Sequence, residues 1–184
     1  MEKKPIQLPI RGTEEVYEIK PSKIIALGLN YLDHIKESQS VDVQNFTNEI
    51  PKEPVLFPKT PNVIVGPGDP IVLHQFIYDY KWENTRIDYE AELAIIIKDR
   101  CKNLSEDDAV NHILGYTCFN DVSQRNMQKG DKSGWFRGKS LDTFGPIGPE
   151  IVPHDKLSDP QNLNIQCRLN GEIKQNSNTK HMIF

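Results

Sequence analysis

Short apolar runs, separated by proline, glycine and polar residues, dominate the hydropathy pattern of this chain. The sharpest is Asp88-Tyr89-Glu90-Ala91-Glu92 running into Leu93-Ala94-Ile95-Ile96-Ile97. The two-residue alternation and the isoleucines predict a strand. On a strand Glu90 and Glu92 share a face, about 7 Å apart along the chain, with Asp88 beside them. Like charges so placed repel unless a cation or a basic group lies between them. A solvated edge strand is the other reading of the same residues.

The flanking pattern supplies the rest of the fold. Residues 16–19 predict a short strand, and Ile24-Ile25-Ala26-Leu27-Gly28 a buried one. Residues 30–37 predict a helix capped by Asn30, with His34 and Glu37 on one face. Residues 38–50 read as a loop. Pro51, Pro54, Pro58, Pro61, Pro67 and Pro70 exclude a helix between them, leaving short strands at 55–57 and 63–65 and another beginning at Ile71. Ser105 with Glu106, Asp107 and Asp108 predicts a capped helix start, and Val110, Ile113 and Leu114 carry that helix to Gly115. Tyr116-Thr117-Cys118-Phe119 is a strand that delivers Asn120 and Asp121. Residues 123–129 form a short helix. Residues 130–144 form a glycine-spaced loop presenting Trp135, Arg137 and Lys139 to solvent or ligand, and Gly145 to Pro149 is turn chemistry. Residues 163–169 alternate as a strand, and Asn170-Gly171 turns it into a hairpin. Many short strands and few helices make the fold α+β, mostly β.

Composition narrows the class. At 184 residues the chain fits one domain with a sizeable core, and 37% hydrophobic with 26% charged residues is a globular composition. A net charge of −4, with no basic stripe, excludes a nucleic-acid footprint. The longest run of large apolar residues, 93–97, is too short to span a bilayer. The N-terminus has no apolar signal segment, so a cytoplasmic location is expected. Cys101, Cys118 and Cys167 lie far apart without a CxxC or Cys/His zinc spacing, and read as reduced thiols.

Glu90, Glu92 and Asp121 are three carboxylates able to converge, a donor set for a hard divalent cation. The same acids also suit a turn or a surface patch. What separates these readings is a set of ordered blocks: Gly28-x-Asn30-Tyr31-x-x-His34-x-x-Glu37; Asp88-Tyr89-Glu90-x-Glu92-Leu93; Asn120-Asp121-x-x-x-Arg125-x-x-Gln128; Arg137-Gly138-Lys139-Ser140-x-Asp142-x-Phe144-Gly145-Pro146-x-Gly148-Pro149; and Leu169-Asn170-Gly171 with Gln175-x-x-x-Thr179 and Met182-Ile183-Phe184. The set resembles the fumarylacetoacetate hydrolase family in its short, single-domain form, over residues 23–184. Residues 1–22 are then an N-terminal extension or short hairpin.

The resemblance implies a rolled mixed β-sandwich around one active site. It implies that Glu90, Glu92 and Asp121 hold Mg²⁺ or Mn²⁺, with Lys139 beside the metal as a catalytic and substrate-binding group. Arg125 and Gln128 match substrate contacts. His34 and Glu37 match a catalytic pair on a segment that closes over the substrate. Asp88 is not a ligand in the pattern, and a hydrogen-bonding role suits it better. Family substrates are 2-oxo or 2,4-dioxo carboxylates, and a homodimer is expected. Hydrolytic C–C cleavage of an acylpyruvate leads. Oxaloacetate decarboxylation or tautomerisation and hydroxymuconate-type isomerisation are the alternatives.

The chemistry of the residues agrees with that range. A 2-oxo acid chelates a cation through its carboxylate and carbonyl oxygens, and the cation stabilises the enolate that forms. Lys139 adds positive charge at that oxygen, and His34 oriented by Glu37 is a general base. Family members continue beyond the Met182-Ile183-Phe184 block with a helix, further strands and a Thr-Gly-Thr-Pro-like loop. The catalytic domain is therefore expected to be C-terminally incomplete. The reading from another class is a truncated, non-catalytic metal-binding protein.

Overall fold

A mixed sheet with one parallel and two antiparallel contacts organises the chain, seen in a computed structural model that describes residues 4–32, 50–129, 132–133 and 135–184. In chain order the strands are β1 (Gln7–Pro9), β2 (Val16–Glu18), β3 (Ile24–Gly28), β4 (Val55–Lys59), β5 (Ile64–Val65), β6 (Ile87–Asp88), β7 (Ala91–Ile97), β8 (Ile113–Asn120), β9 (Ser123–Gln124), β10 (Gly145–Pro153), β11 (Asn164–Leu169) and β12 (Glu172–Asn178). The central sheet runs β5-β10-β8-β7, and the ribbons β1-β2, β3-β4, β6-β9 and β11-β12 pack around it. Helical turns at Gln75–Asp79, Glu106–Ala109, Arg125–Gln128 and Phe136–Lys139 make the fold α+β and mostly β.

Two apolar clusters hold these layers. Leu8, Val63, Ile64, Ile147 and Ile151 are buried together, with Ile6, Tyr17 and Ile19 packed on them. The β1-β2 hairpin therefore closes one side of the main core. Arg11 N donates to Ile151 O at 2.9 Å, tying the hairpin to β10. The second cluster is Ile77, Val122 and Phe144, with the half-buried Trp82 and Leu141 packed against it.

Several expectations need correction, each for a local reason. Ile24–Gly28 is a strand but only half buried, because its ribbon turns Ile25 and Leu27 outward beside Leu56. The helix begun at Ser105, whose Oγ accepts from Asp108 N at 3.2 Å, ends by His112. Ile113 and Leu114 belong to β8, where Ile113 pairs with Ile97. Cross-strand pairing outweighs the helical spacing of three apolar residues. No strand starts at Ile71, since Val72 N donates to Thr143 Oγ1 at 2.8 Å instead of to a ladder. The Gln75–Asp79 helix was not anticipated. Gly145 to Pro149 is not a turn but the start of β10, whose register shifts between Gly148 and Val152. Proline is tolerated at such an irregularity. The 123–129 helix is shortened to Arg125–Gln128, after the β9 strand. Asn170 and Gly171 both take positive φ, 52° and 84°, as the two-residue hairpin turn requires. The helix predicted over 30–37 and the loop over 38–50 fall almost entirely outside the described residues.

Leu8→Ala is expected to lower the unfolding free energy by about 3 kcal/mol, the usual effect of emptying a fully buried leucine position. Urea denaturation checks it. A loss below about 0.5 kcal/mol would show the hairpin to be an appendage.

Candidate active site

The acidic stretch is not one continuous strand. It breaks at Tyr89 and Glu90, between β6 and β7. Side chains take over the backbone bonds at the break: Glu90 N donates to Asn120 Oδ1 at 3.1 Å and Ala91 N to Gln175 Oε1 at 2.8 Å. Asp121 N in turn donates to Glu90 O at 2.8 Å. The kink and the end of β8 thus place Glu90, Glu92 and Asp121 around one point.

Lys139 lies between two of them, Glu90 and Asp121. It is 2% exposed, not presented to solvent from a loop, because residues 136–139 form a helical turn. Gly138 makes this possible: a Cβ there would stand 2.8 Å from Gln124 O and from the Gln128 Cβ, so any larger residue would push the turn away. Lys139 Nζ donates to Asp121 Oδ2 at 2.8 Å and closely to Glu90 Oε2. It also lies 5.2 Å from the centre of the Phe57 ring, which Trp135 meets edge-on.

A second lysine was missed. Lys59, the last residue of β4, is 2% exposed and donates to Asp121 Oδ1 at 2.5 Å and to the Lys139 carbonyl. Burial pushes its ammonium below the ordinary lysine range, with the Asp121 charge opposing. No sequence signal marks it, since a lysine between Pro58 and Thr60 reads as a solvated turn cation.

Burial pushes the Glu92 carboxyl up to about 8, and the neighbouring Glu90 and Asp121 charges push the same way. Tyr31 is pushed up to about 12 by burial and by the Glu92 charge. Its hydroxyl has no hydrogen-bond partner among the described residues. This side of the site offers oxygen donors, the Glu92 carboxyl and the Tyr31 hydroxyl, and such donors suit a hard divalent cation. The three carboxylates are nevertheless more open than a closed cation cage. Among the described residues, only Asp99, Cys101 and His112 bring three donor atoms within 4.8 Å of one another.

Arg125 is largely committed to the protein. Its Nε donates to Asp88 Oδ2 at 2.9 Å, its Nη1 to Gln128 Oε1 at 2.9 Å, and its Nη2 pairs with Glu90 Oε1 at 2.6 Å. Burial lowers the pKa of its guanidinium, but Glu90 and Asp88 outweigh that and raise it. Asp88 acts as a hydrogen-bonding support. Gln128 accepts through its carbonyl oxygen, which leaves its amide N–H groups as donors. His34 and Glu37 lie outside the described residues. The segment leading to them is pinned at Asn30, whose Oδ1 accepts from Phe184 N at 3.0 Å.

Comparison with known proteins adds four findings. A family model described as fumarylacetoacetate (FAA) hydrolase C-terminal matches residues 23–184. An uncharacterized protein of Methanocaldococcus jannaschii is 48% identical over 179 residues, covering 97% of this chain and 68% of that protein. A mitochondrial oxaloacetate tautomerase of Xenopus laevis is 47% identical over 165 residues, covering 89% of this chain and 47% of the tautomerase. The crystal structure of 2-hydroxyhepta-2,4-diene-1,7-dioate isomerase from Mycobacterium marinum superposes with a TM-score of 0.69 at 38% identity, covering 91% of this chain and 56% of the isomerase. The chain therefore spans about half the length of the two enzymes, 47% and 56%.

Two outcomes follow from the buried charges. Lys59→Met leaves Asp121 short of one partner and is expected to reduce stability by about 3–5 kcal/mol. An unchanged denaturation midpoint would contradict that role. Folded Glu92 keeps a proton that the unfolded chain releases near 4.5, so without divalent cations its contribution to stability falls as pH rises from about 4.5 to about 8. In chelator, Glu92→Gln is expected to flatten that decline in a melting-temperature series, and parallel curves would refute it.

Proposed function

The chain belongs to the fumarylacetoacetate hydrolase family, and from that premise we propose that it carries the cation-binding core of an enzyme of 2-oxo carboxylates. The reaction proposed first is keto–enol tautomerisation of an oxaloacetate-type dicarboxylate. The observation that carries this reading is the buried Lys139 ammonium between Glu90 and Asp121. Enolisation moves a proton off the carbon next to the 2-oxo group and leaves negative charge on the carbonyl oxygen. A fixed ammonium held between two carboxylates suits that oxygen. The named relatives, a tautomerase and an isomerase, carry out chemistry of this kind by their names.

Each residue then has a task. Glu90, Glu92 and Asp121 would hold Mg²⁺ or Mn²⁺, which when bound supplies Lewis-acid polarisation of the 2-oxo group. Lys139 Nζ donates to the developing oxyanion, and Lys59 holds Asp121 in place. Arg125 fixes Glu90 and Asp88, so we assign the direct contact with a substrate carboxylate to the Gln128 amide. His34, oriented by Glu37, takes up the carbon-bound proton. Hydrolysis of an acylpyruvate is the second reading, motivated by the hydrolase description of the matching family model. It needs the same cation and lysine, with His34 acting on a water molecule.

Enol absorbance and solvent-deuterium exchange at the methylene carbon of oxaloacetate, with acetylpyruvate cleavage run in parallel, test the proposal. Exchange is expected with Mg²⁺ and not with chelator. Lys139→Met should lower kcat/KM by about 10² or more. His34→Ala should lose turnover while calorimetry still records Mg²⁺ binding. Exchange that is indifferent to both chelator and Lys139→Met would overturn the reading. Cleavage without exchange would replace it with hydrolysis.

A further inference from the structure

The far end of the β7-β8 hairpin gathers a different set of donors. Asp99 and Cys101 lie two residues apart on the turn leaving β7, and His112 is the last residue before β8. One ligand atom from each lies within 4.8 Å of the other two. His112 Nδ1 stands 2.5 Å from Asp99 Oδ1. All three are at least partly accessible, and Cys101 is a free thiol.

The backbone holds these donors in place. Lys98 N donates to His112 O at 2.8 Å and Lys98 Nζ to Asn111 O at 2.8 Å, clamping the two ends of the loop together. Asn103, with φ of 54°, turns the chain after Cys101, and the Ser105 cap starts the short helix that returns it to His112. The clamp and the capped helix fix which side chains meet, and those are a thiol, an imidazole and a carboxylate. An Asp99–His112 ion pair with a bystander thiol is the plainer alternative.

We propose that Asp99, Cys101 and His112 form a second metal site, for a zinc-class divalent cation, with a fourth position left to water or another donor. The donor chemistry sets the class. Thiolate and imidazole favour Zn²⁺, Co²⁺ or Ni²⁺, whereas Mg²⁺ requires hard oxygen ligands and near-octahedral geometry. Three protein ligands with an open position is a common zinc arrangement. Binding replaces the thiol proton, which passes to solvent, with a metal–sulfur bond, and no redox step is involved. The site is separate from the acidic one. Glu92 and Asp99 are seven residues apart on and beyond one strand, roughly 20 Å at the strand rise. Its effect is to clip the ends of the 98–112 loop and so lock the hairpin whose other end carries Glu92 and Asp121.

Cobalt titration in excess Mg²⁺ tests the proposal. Magnesium fills oxygen-only sites, and only a thiolate ligand gives Co²⁺ an intense near-ultraviolet charge-transfer band. The band is expected to saturate at one Co²⁺ per chain and to disappear when Zn²⁺ displaces it. It should survive in Cys118→Ser, Cys167→Ser and Glu92→Gln. It should be lost in Cys101→Ser, and Co²⁺ should bind at least about tenfold more weakly in His112→Ala. Zn²⁺ should raise the melting temperature of the unmodified chain but not of Cys101→Ser. Absence of the band in the unmodified chain, or its persistence in Cys101→Ser, would overturn the proposal.

Discussion

Two ammonium groups share one buried carboxylate, and much of the surrounding structure exists to hold that arrangement. Lys59 arrives on β4, Lys139 on the helical turn after Trp135, and Asp121 at the end of β8. Burying three charges is unfavourable unless each finds its partners at good geometry. Lys59 meets that condition with Asp121 Oδ1 and the Lys139 carbonyl, and Lys139 with Asp121 Oδ2 and Glu90. The triad therefore reports on three elements at once. A shift in any of them would leave a buried charge unmatched. This is how a chain of short strands with long connections reaches one defined centre.

The acidic half of that centre was legible in the sequence and the basic half only in part. Glu90 and Glu92 stand out because alternating acids precede an isoleucine run, and Asp121 because a strand ends on it. Lys139 was found through its glycine-spaced block, but its burial was not, since four helical residues give too short a pattern to read. Lys59 left no trace, because sequence shows a lysine's charge and not its solvation. The misread segments share a physical cause. Ile113, Leu114 and the Gly145–Pro149 stretch take their form from strand partners distant in sequence, so pairing overrode local preference. The Asn170-Gly171 hairpin was readable because its turn chemistry is local.

The β7-β8 hairpin links the two groups of charged residues. Its register runs unbroken from the Ala91–Asn120 pair to the Ile96–Gly115 pair and shifts only before Ile97. Gly115 accommodates the close pass of β10, where a Cβ would meet Val152 O at 2.3 Å. β10 thus flanks the hairpin along β8. Its two ends carry polar side chains with opposite tastes, hard oxygen at one and sulfur with nitrogen at the other.

Asn30 holds the end of the described chain with both ends of its amide. Its Oδ1 accepts from Phe184 N and its Nδ2 donates to Phe184 O at 3.3 Å, across 154 positions of sequence. Ile183 N donates to the Asn30 carbonyl at 2.9 Å. This contact closes a loop that contains nearly every other element, and the entropy lost on closing a loop grows only slowly with its length. During synthesis the sheet can form while Asn30 still lacks its partner. The residue that leads into the His34 segment thus gains these partners only once positions 183 and 184 have been made.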